Sequence, residues 1–121
     1  MHKEFVQSSL ESILESIEII EARLSSIKNV DDFMSTPAGV TKLDSISMRL
    51  QIIGELLKKI DKVDSKYLIK FRQVEWEKII KMRDIISHHY DTINPEIVFD
   101  VCQNHLPVLK STLLEMIKEF Q

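Results

Sequence analysis

Two stretches of the chain place apolar residues at alternating intervals of three and four positions. The first stretch contains seven such residues: Val6, Leu10, Ile13, Ile17, Ile20, Leu24 and Ile27. The second contains six: Leu43, Ile46, Leu50, Ile53, Leu57 and Ile60. This alternation is the a/d spacing of a helix that packs against other helices. Each stretch therefore predicts a long helix with one buried face and one charged face.

The second half of the chain predicts two further long helices. One starts near Val74 and continues into the polar residues before Asp91. The other starts after Asn94, because Asn is a favoured N-cap and Pro95 suits the first helical position. Its apolar alternation includes seven positions: Val98, Val101, His105, Leu109, Leu113, Met116 and Phe120. Pro107 lies inside this helix, where a proline should produce a kink.

Shorter features separate these helices. Asp31-Asp32-Phe33 predicts a helical turn with Phe33 closing one end of the bundle, and Pro37 predicts either a loop or the first position of a helix. Residues 61–70 are polar and predict a connection with a short helix. Gly54 lies inside the second long helix, where glycine costs about 1 kcal/mol relative to alanine. We expect a neighbouring helix to approach it closely.

The composition supports an all-α fold. Two Gly and three Pro in 121 residues are too few for the turns of a β-sandwich or barrel. The chain is long enough to bury one core and shows no linker or repeat. Residues 1–121 therefore predict a single domain, an up-and-down four-helix bundle with short additional helices.

Charge and cysteine content limit the possible binding partners and the cellular compartment of the protein. The formal net charge is −3, so any contact with nucleic acid must use a local basic patch. A single cysteine, Cys102, excludes an internal disulfide and suits a reducing compartment. We see no signal peptide and no apolar run of the roughly 20 residues that a membrane span requires. We expect a cytoplasmic protein with no membrane contact.

Candidate chemistry is concentrated between Arg83 and Tyr90. On a regular helix with 100° per residue, an apolar arc faces the core and consists of Ile79, Met82, Ile85 and Ile86. The remaining arc is polar and carries Arg83, Asp84, Ser87, His88 and Tyr90. His89 falls among the apolar residues, so we interpret it as a core or boundary histidine.

The polar arc suits cleavage of a phosphodiester without a metal. His88 can exchange protons near neutral pH, and Arg83 can clamp a phosphate. Asp84 lies one turn before His88 and can orient its ring, while Tyr90 offers a hydroxyl and an aromatic face. A metal site on Asp84 and His88 lacks a third ligand at suitable spacing, and no cofactor is expected. The alternative is a solvated face with surface ion pairs.

The segment from Arg83 to Tyr90 resembles the Arg-x-x-x-x-His-x-Tyr motif of HEPN-domain ribonucleases of the HepT-like type. Further likeness extends roughly from Phe33 to the C-terminus. It is carried by Leu50 to Glu55, which resembles the family's Ile-Gly-Glu segment, by Trp76 to Met82, by Ile97 to Asp100, and by Leu106-Pro107. These proteins are toxins that pair with a minimal nucleotidyltransferase antitoxin of the MntA type.

The resemblance implies an all-α bundle that forms a homodimer with two facing motifs. It implies metal-independent endoribonuclease activity on RNA, with tRNA a known target class. Arg83 and His88 occupy the motif's catalytic positions, and Tyr90 occupies the tyrosine to which such antitoxins add AMP. Many members have Asn after the motif arginine, whereas this chain has Asp84, which adds negative charge beside the scissile phosphate.

Two other interpretations remain open from the sequence. The bundle could be a non-catalytic interaction domain that binds a nucleotidyltransferase partner, which the acidic net charge and Asp84 favour. It could also be a plain structural bundle with a solvated polar face. Cleavage of RNA in the presence of EDTA would favour the ribonuclease toxin over the interaction domain and the structural bundle.

Overall fold

The computed structural model describes residues 2–86 and 93–121, which form helices without strands. In chain order the α-helices are α1 (His2–Leu24), α2 (Asp31–Met34), α3 (Pro37–Val63), α4 (Trp76–Ile80), α5 (Met82–Ile86), α6 (Pro95–Asp100) and α7 (Leu106–Lys118). A 3₁₀ turn at Leu68–Lys70 precedes α4, and a π-helix at Val101–His105 joins α6 to α7. None of the described helices combines the length and apolarity needed to cross a membrane.

The core lies between α1, α3, the α4–α5 segment and the segment from α6 to α7. Helix α1 packs against both α3 and α7, and α3 also contacts α4, α5 and α6. The predicted a/d residues of α1 and α3 are buried, except that Leu24 is only partly buried. The all-α class expected from the sequence is confirmed.

The connection between α1 and α3 is shorter than predicted, because α3 begins earlier than its apolar pattern. Phe33 is fully buried in α2, as expected for a residue that closes the bundle. Helix α3 begins at Pro37, before the first residue of its apolar pattern, because the Thr36 hydroxyl caps it and accepts a hydrogen bond from the Gly39 amide at 3.0 Å. A Cβ at Gly39 would overlap the carbonyl oxygen of Asp32, so α2 packs directly on this first turn.

The C-terminal segment changes its helical hydrogen-bonding pattern where one kinked α-helix was expected. Pro107 has no amide hydrogen to donate, and its ring clashes with the carbonyl group four residues earlier, so the usual α-helical hydrogen bond cannot form there. The chain responds with the π-helix at Val101–His105, in which the Leu106 amide bonds to the carbonyl of Val101, five residues back. Beyond it α7 continues regularly to Lys118.

The start of α6 depends on a side-chain cap. Asn94 Oδ1 accepts hydrogen bonds from the amides of Glu96 at 3.0 Å and Ile97 at 3.2 Å, as the sequence predicted.

Replacing Asn94 with Ala should lower the free energy of unfolding by about 1 kcal/mol, because both amides lose their acceptor. Urea unfolding followed by circular dichroism measures this change. Asn94→Asp keeps the acceptor and should behave like wild type, and equal stability of all three proteins would contradict the role of the cap.

Candidate active site

The segment that leads to the polar cluster is not one continuous helix. The sequence predicted a regular helix from about Val74 onward, but the structure divides it at Lys81 into α4 and α5. Lys81 has φ −88° and ψ 18°, and its carbonyl accepts the amides of both Asp84 and Ile85. The prediction of regular helix geometry through this point is therefore wrong, and the orientation of α5 depends on the break.

Gly54 of α3 is packed against this break. A Cβ on Gly54 would lie 2.8 Å from the carbonyl oxygen of Ile79 and 3.2 Å from that of Ile80. Real Cβ atoms do not approach backbone oxygens as closely as 2.8 Å, so a larger residue would force the two segments apart. The close approach predicted for Gly54 is confirmed, and it sets how α4 and α5 lie on α3.

A buried tryptophan anchors the start of α4. Trp76 is 8% exposed, and its indole N–H donates to the carbonyl oxygen of Phe71 at 2.9 Å. Burial of an aromatic ring of this size contributes strongly to stability, and the hydrogen bond fixes its orientation. Together with Gly54, this contact holds both ends of α4.

Helix α5 presents two of the predicted site residues to solvent. Arg83 and Asp84 are exposed, whereas Met82 and Ile86 are fully buried. Ile85, which the helical wheel placed in the core, is only partly buried. The predicted separation of a polar arc from an apolar arc is therefore present on α5, with Ile85 at the boundary.

Lys81 and Glu77 form an exposed ion pair beside α5, and the sequence prediction did not single it out. Lys81 Nζ donates to Glu77 Oε1 at 2.9 Å across one helical turn. This hydrogen bond, and then the lysine charge, lower the pKa of the Glu77 carboxyl. The same contact raises the pKa of Lys81, with a smaller contribution from Asp84. An open groove of about 500 Å³ runs along this side, lined by Glu75 to Lys78, Lys81 and Ile85.

Four residues of the predicted cluster, Ser87 to Tyr90, lie outside the described residues. The roles of His88 and Tyr90, and the core position predicted for His89, therefore remain predictions. The described chain resumes at Ile93, and the amide of Asn94 donates to the carbonyl oxygen of Ile86 at 3.0 Å. This hydrogen bond joins the start of α6 to the end of α5.

Two other ionisable groups of the described chain are unsuited to catalysis at neutral pH. Burial raises the pKa of the Cys102 thiol to about 12. Burial, with the charges of Glu119 and Asp64, raises the pKa of Tyr67 to about 12. Both groups stay protonated at pH 7, so neither supplies a nucleophile or a base. Within residues 2–86 and 93–121, no three His, Cys, Asp or Glu side chains form a group able to hold a metal ion.

Comparison with known proteins identifies the family of this chain. The family model described as "Ribonuclease HepT-like" matches residues 13–116, which include both Gly54 and the whole stretch from Arg83 to Tyr90. The chain belongs to the HepT-like ribonuclease family. The match begins earlier than the likeness noted from the sequence, so the second half of α1 is part of the family pattern.

Two relatives of this HepT-like chain align over nearly their full lengths. "Putative RNase MJ0127" of Methanocaldococcus jannaschii is 29% identical over 122 residues, which cover 100% of this chain and 94% of the relative. "Putative RNase TTE0752" of Caldanaerobacter subterraneus is 29% identical over 110 residues, which cover 91% of this chain and 92% of the relative. No solved structure matches the chain significantly.

Proposed function

We propose that this HepT-like protein is a metal-independent endoribonuclease whose active site is built on Arg83, Asp84, His88 and Tyr90. The observation that carries the proposal is the family match across residues 13–116, since it spans the complete Arg-x-x-x-x-His-x-Tyr motif. The exposed position of Arg83 on α5, with Met82 and Ile86 buried behind it, supports the proposal. The names of the two relatives point to the same class of reaction.

The proposed reaction uses the RNA 2′-hydroxyl as the nucleophile. His88 removes the proton from this hydroxyl, and the 2′-oxygen bonds to the adjacent phosphorus. The bond from phosphorus to the 5′-oxygen then breaks, and a protonated histidine supplies the proton that the 5′-oxygen needs. The products are a 2′,3′-cyclic phosphate and a 5′-hydroxyl. Arg83 stabilises the additional negative charge on the phosphorane, Asp84 orients His88, and Tyr90 positions the substrate.

A symmetric homodimer would complete this site. One chain supplies one Arg83 and one His88, whereas the reaction uses a base for the 2′-hydroxyl and an acid for the 5′-oxygen. A two-fold axis beside α5 would bring two sets of the same residues together, so that one His88 acts as the base and the other as the acid.

The physiological role that we propose is that of a toxin. Cleavage of cellular RNA, with tRNA the first candidate, would stop growth. A minimal nucleotidyltransferase antitoxin would bind the dimer and add AMP to Tyr90. The added phosphate and adenosine would occupy the position of the substrate beside Arg83 and block cleavage.

Incubation of the purified protein with RNA tests the proposed reaction. We expect cleavage that is unchanged by an excess of EDTA and that yields fragments ending in a 2′,3′-cyclic phosphate, because the nucleophile belongs to the substrate. A DNA oligonucleotide of the same sequence should stay intact, since it lacks the 2′-hydroxyl. Complete loss of cleavage in EDTA would overturn metal independence. A folded protein that leaves all RNA intact would favour the non-catalytic interaction domain.

A further inference from the structure

Positive charge is concentrated in one continuous part of an otherwise acidic chain. Residues 58–83 contain nine Lys and Arg against four Asp and Glu, a net charge of +5. The other 95 residues contain seven Lys and Arg against fifteen Asp and Glu, a net charge of −8. A local excess of this size on a chain of opposite net charge indicates a surface for a polyanion.

The fold brings this segment together as a helical hairpin. Helix α3 ends at Val63 and α4 begins at Trp76, and α4 lies against α3 where Ile79 and Ile80 meet Gly54. The chain therefore turns back between the two helices, and the 3₁₀ turn lies in the connection. We call residues 58–83 the basic hairpin. Its cations come from the end of α3, the connection, α4 and α5: Lys58, Lys59, Lys62, Lys66, Lys70, Arg72, Lys78, Lys81 and Arg83.

Most of these cations are available to a ligand. Eight of the nine are exposed, and Lys78 is partly buried. Among the described residues, Lys81 is the one cation of the hairpin that forms an ion pair, and its partner is Glu77. Lys70 lies over the ring of Tyr67, with Nζ 5.7 Å from its centroid.

Two of the four carboxylates of the hairpin are directed to partners outside α3 and the connection, whereas Asp61 and Asp64 lie among the lysines there. Glu77 is engaged by Lys81, and Glu75 Oε2 lies 3.4 Å from His105 Nδ1 on the neighbouring π-helix. Lys58 and Lys62 stand one turn apart on α3, so both project to the same side of that helix. The positive charges of Lys58 and Lys62 come directly before those of the connection, which carries Lys66, Lys70 and Arg72.

We propose that the basic hairpin binds the phosphate backbone of the RNA substrate outside the phosphodiester that is cleaved. This inference rests on the proposed ribonuclease function, because Arg83 at the end of the hairpin is the residue assigned to the scissile phosphate. The lysines of α3 and the connection would hold flanking phosphates and direct the strand toward α5. Since lysine ammonium groups contact phosphate without reading bases, this surface contributes affinity and not sequence preference.

The salt dependence of RNA binding tests this surface independently of cleavage. The probe is a fluorescein-labelled single-stranded RNA with 2′-O-methyl groups, which removes the nucleophile and prevents cleavage. Binding is measured by fluorescence anisotropy over a series of salt concentrations for wild type, for Lys58→Gln/Lys62→Gln, and for the control Lys3→Gln/Lys118→Gln. The control removes the same charge from exposed lysines of α1 and α7.

We expect the hairpin variant to bind more weakly and to flatten the slope of log K against log salt by about 1.4, since each phosphate contact on a single strand contributes about 0.7. The control should keep the wild-type slope. An equal slope in both variants, or a wild type that does not bind RNA, would overturn the proposal. So would unchanged RNA binding with a selective loss of polyglutamate binding, which would assign the surface to an acidic protein.

Cleavage assays separate this proposal from the function on which it rests. With a long unmodified RNA, Lys58→Gln/Lys62→Gln should raise KM and leave kcat near wild type, because the lost contacts are equal in the ground and transition states. A wild type that binds the modified RNA with the expected slope but never cleaves unmodified RNA would overturn the ribonuclease proposal and leave the binding surface standing.

Discussion

Replacing His88 with Ala should lower the rate of RNA cleavage by about 100- to 10,000-fold, the range that a general acid–base residue supplies. In the proposed reaction His88 is the residue of the polar arc that moves protons, because histidine exchanges protons near neutral pH, whereas Arg83 stabilises charge and Asp84 orients the ring. Single-turnover cleavage of a labelled RNA measures the effect. Expression of the variant in growing cells should also no longer stop growth.

His89→Ala is the matched control for this experiment. The sequence predicts that His89 lies on the apolar side, so its loss should reduce thermal stability more than the cleavage rate. Circular dichroism should show the same helical content for His88→Ala and wild type, which excludes unfolding as the cause of lost activity. Wild-type cleavage by His88→Ala together with inactive, folded His89→Ala would assign the catalytic role to the other histidine.

Replacing Gly54 with Ala should destabilise the protein by about 1–3 kcal/mol, the usual cost of overpacking a close contact. Helix propensity alone predicts the opposite sign, since alanine favours a helix interior over glycine by about 1 kcal/mol. The new Cβ would lie 2.8 Å from the Ile79 carbonyl oxygen, and a backbone oxygen at the break before α5 has little room to move. Urea unfolding measures the change in the free energy of unfolding.

Cleavage by the same variant tests whether Gly54 positions the active site. Displacement of α4 and α5 would move Arg83, so kcat should fall at temperatures where the variant remains folded. Glu55→Ala changes the next residue of α3, which is exposed, and should leave both stability and kcat near wild type. A Gly54→Ala protein that is more stable than wild type and fully active would contradict the close packing of α3 on α4.

The amino-acid sequence by itself determined most of the buried positions and the residue at which α6 begins. The alternating apolar positions of α1 and α3 identify the core, because burial follows side-chain hydrophobicity and helical periodicity. Asn94 and Pro95 identify the start of α6, because capping is a local side-chain interaction. The motif from Arg83 to Tyr90 was also visible, since it is a concentration of polar residues that no apolar stripe explains.

The tertiary structure alone decided features that depend on backbone hydrogen bonds between or within elements. The apolar spacing around Lys81 fits a continuous helix, yet the chain breaks there against Gly54, and side-chain periodicity carries no signal for such a break. The π-helix at Val101–His105 arises because the chain accommodates Pro107 by a change of hydrogen-bond register. The basic hairpin likewise required the fold, because its nine cations are spread over 26 residues and the reversal of the chain between α3 and α4 decides how these segments lie.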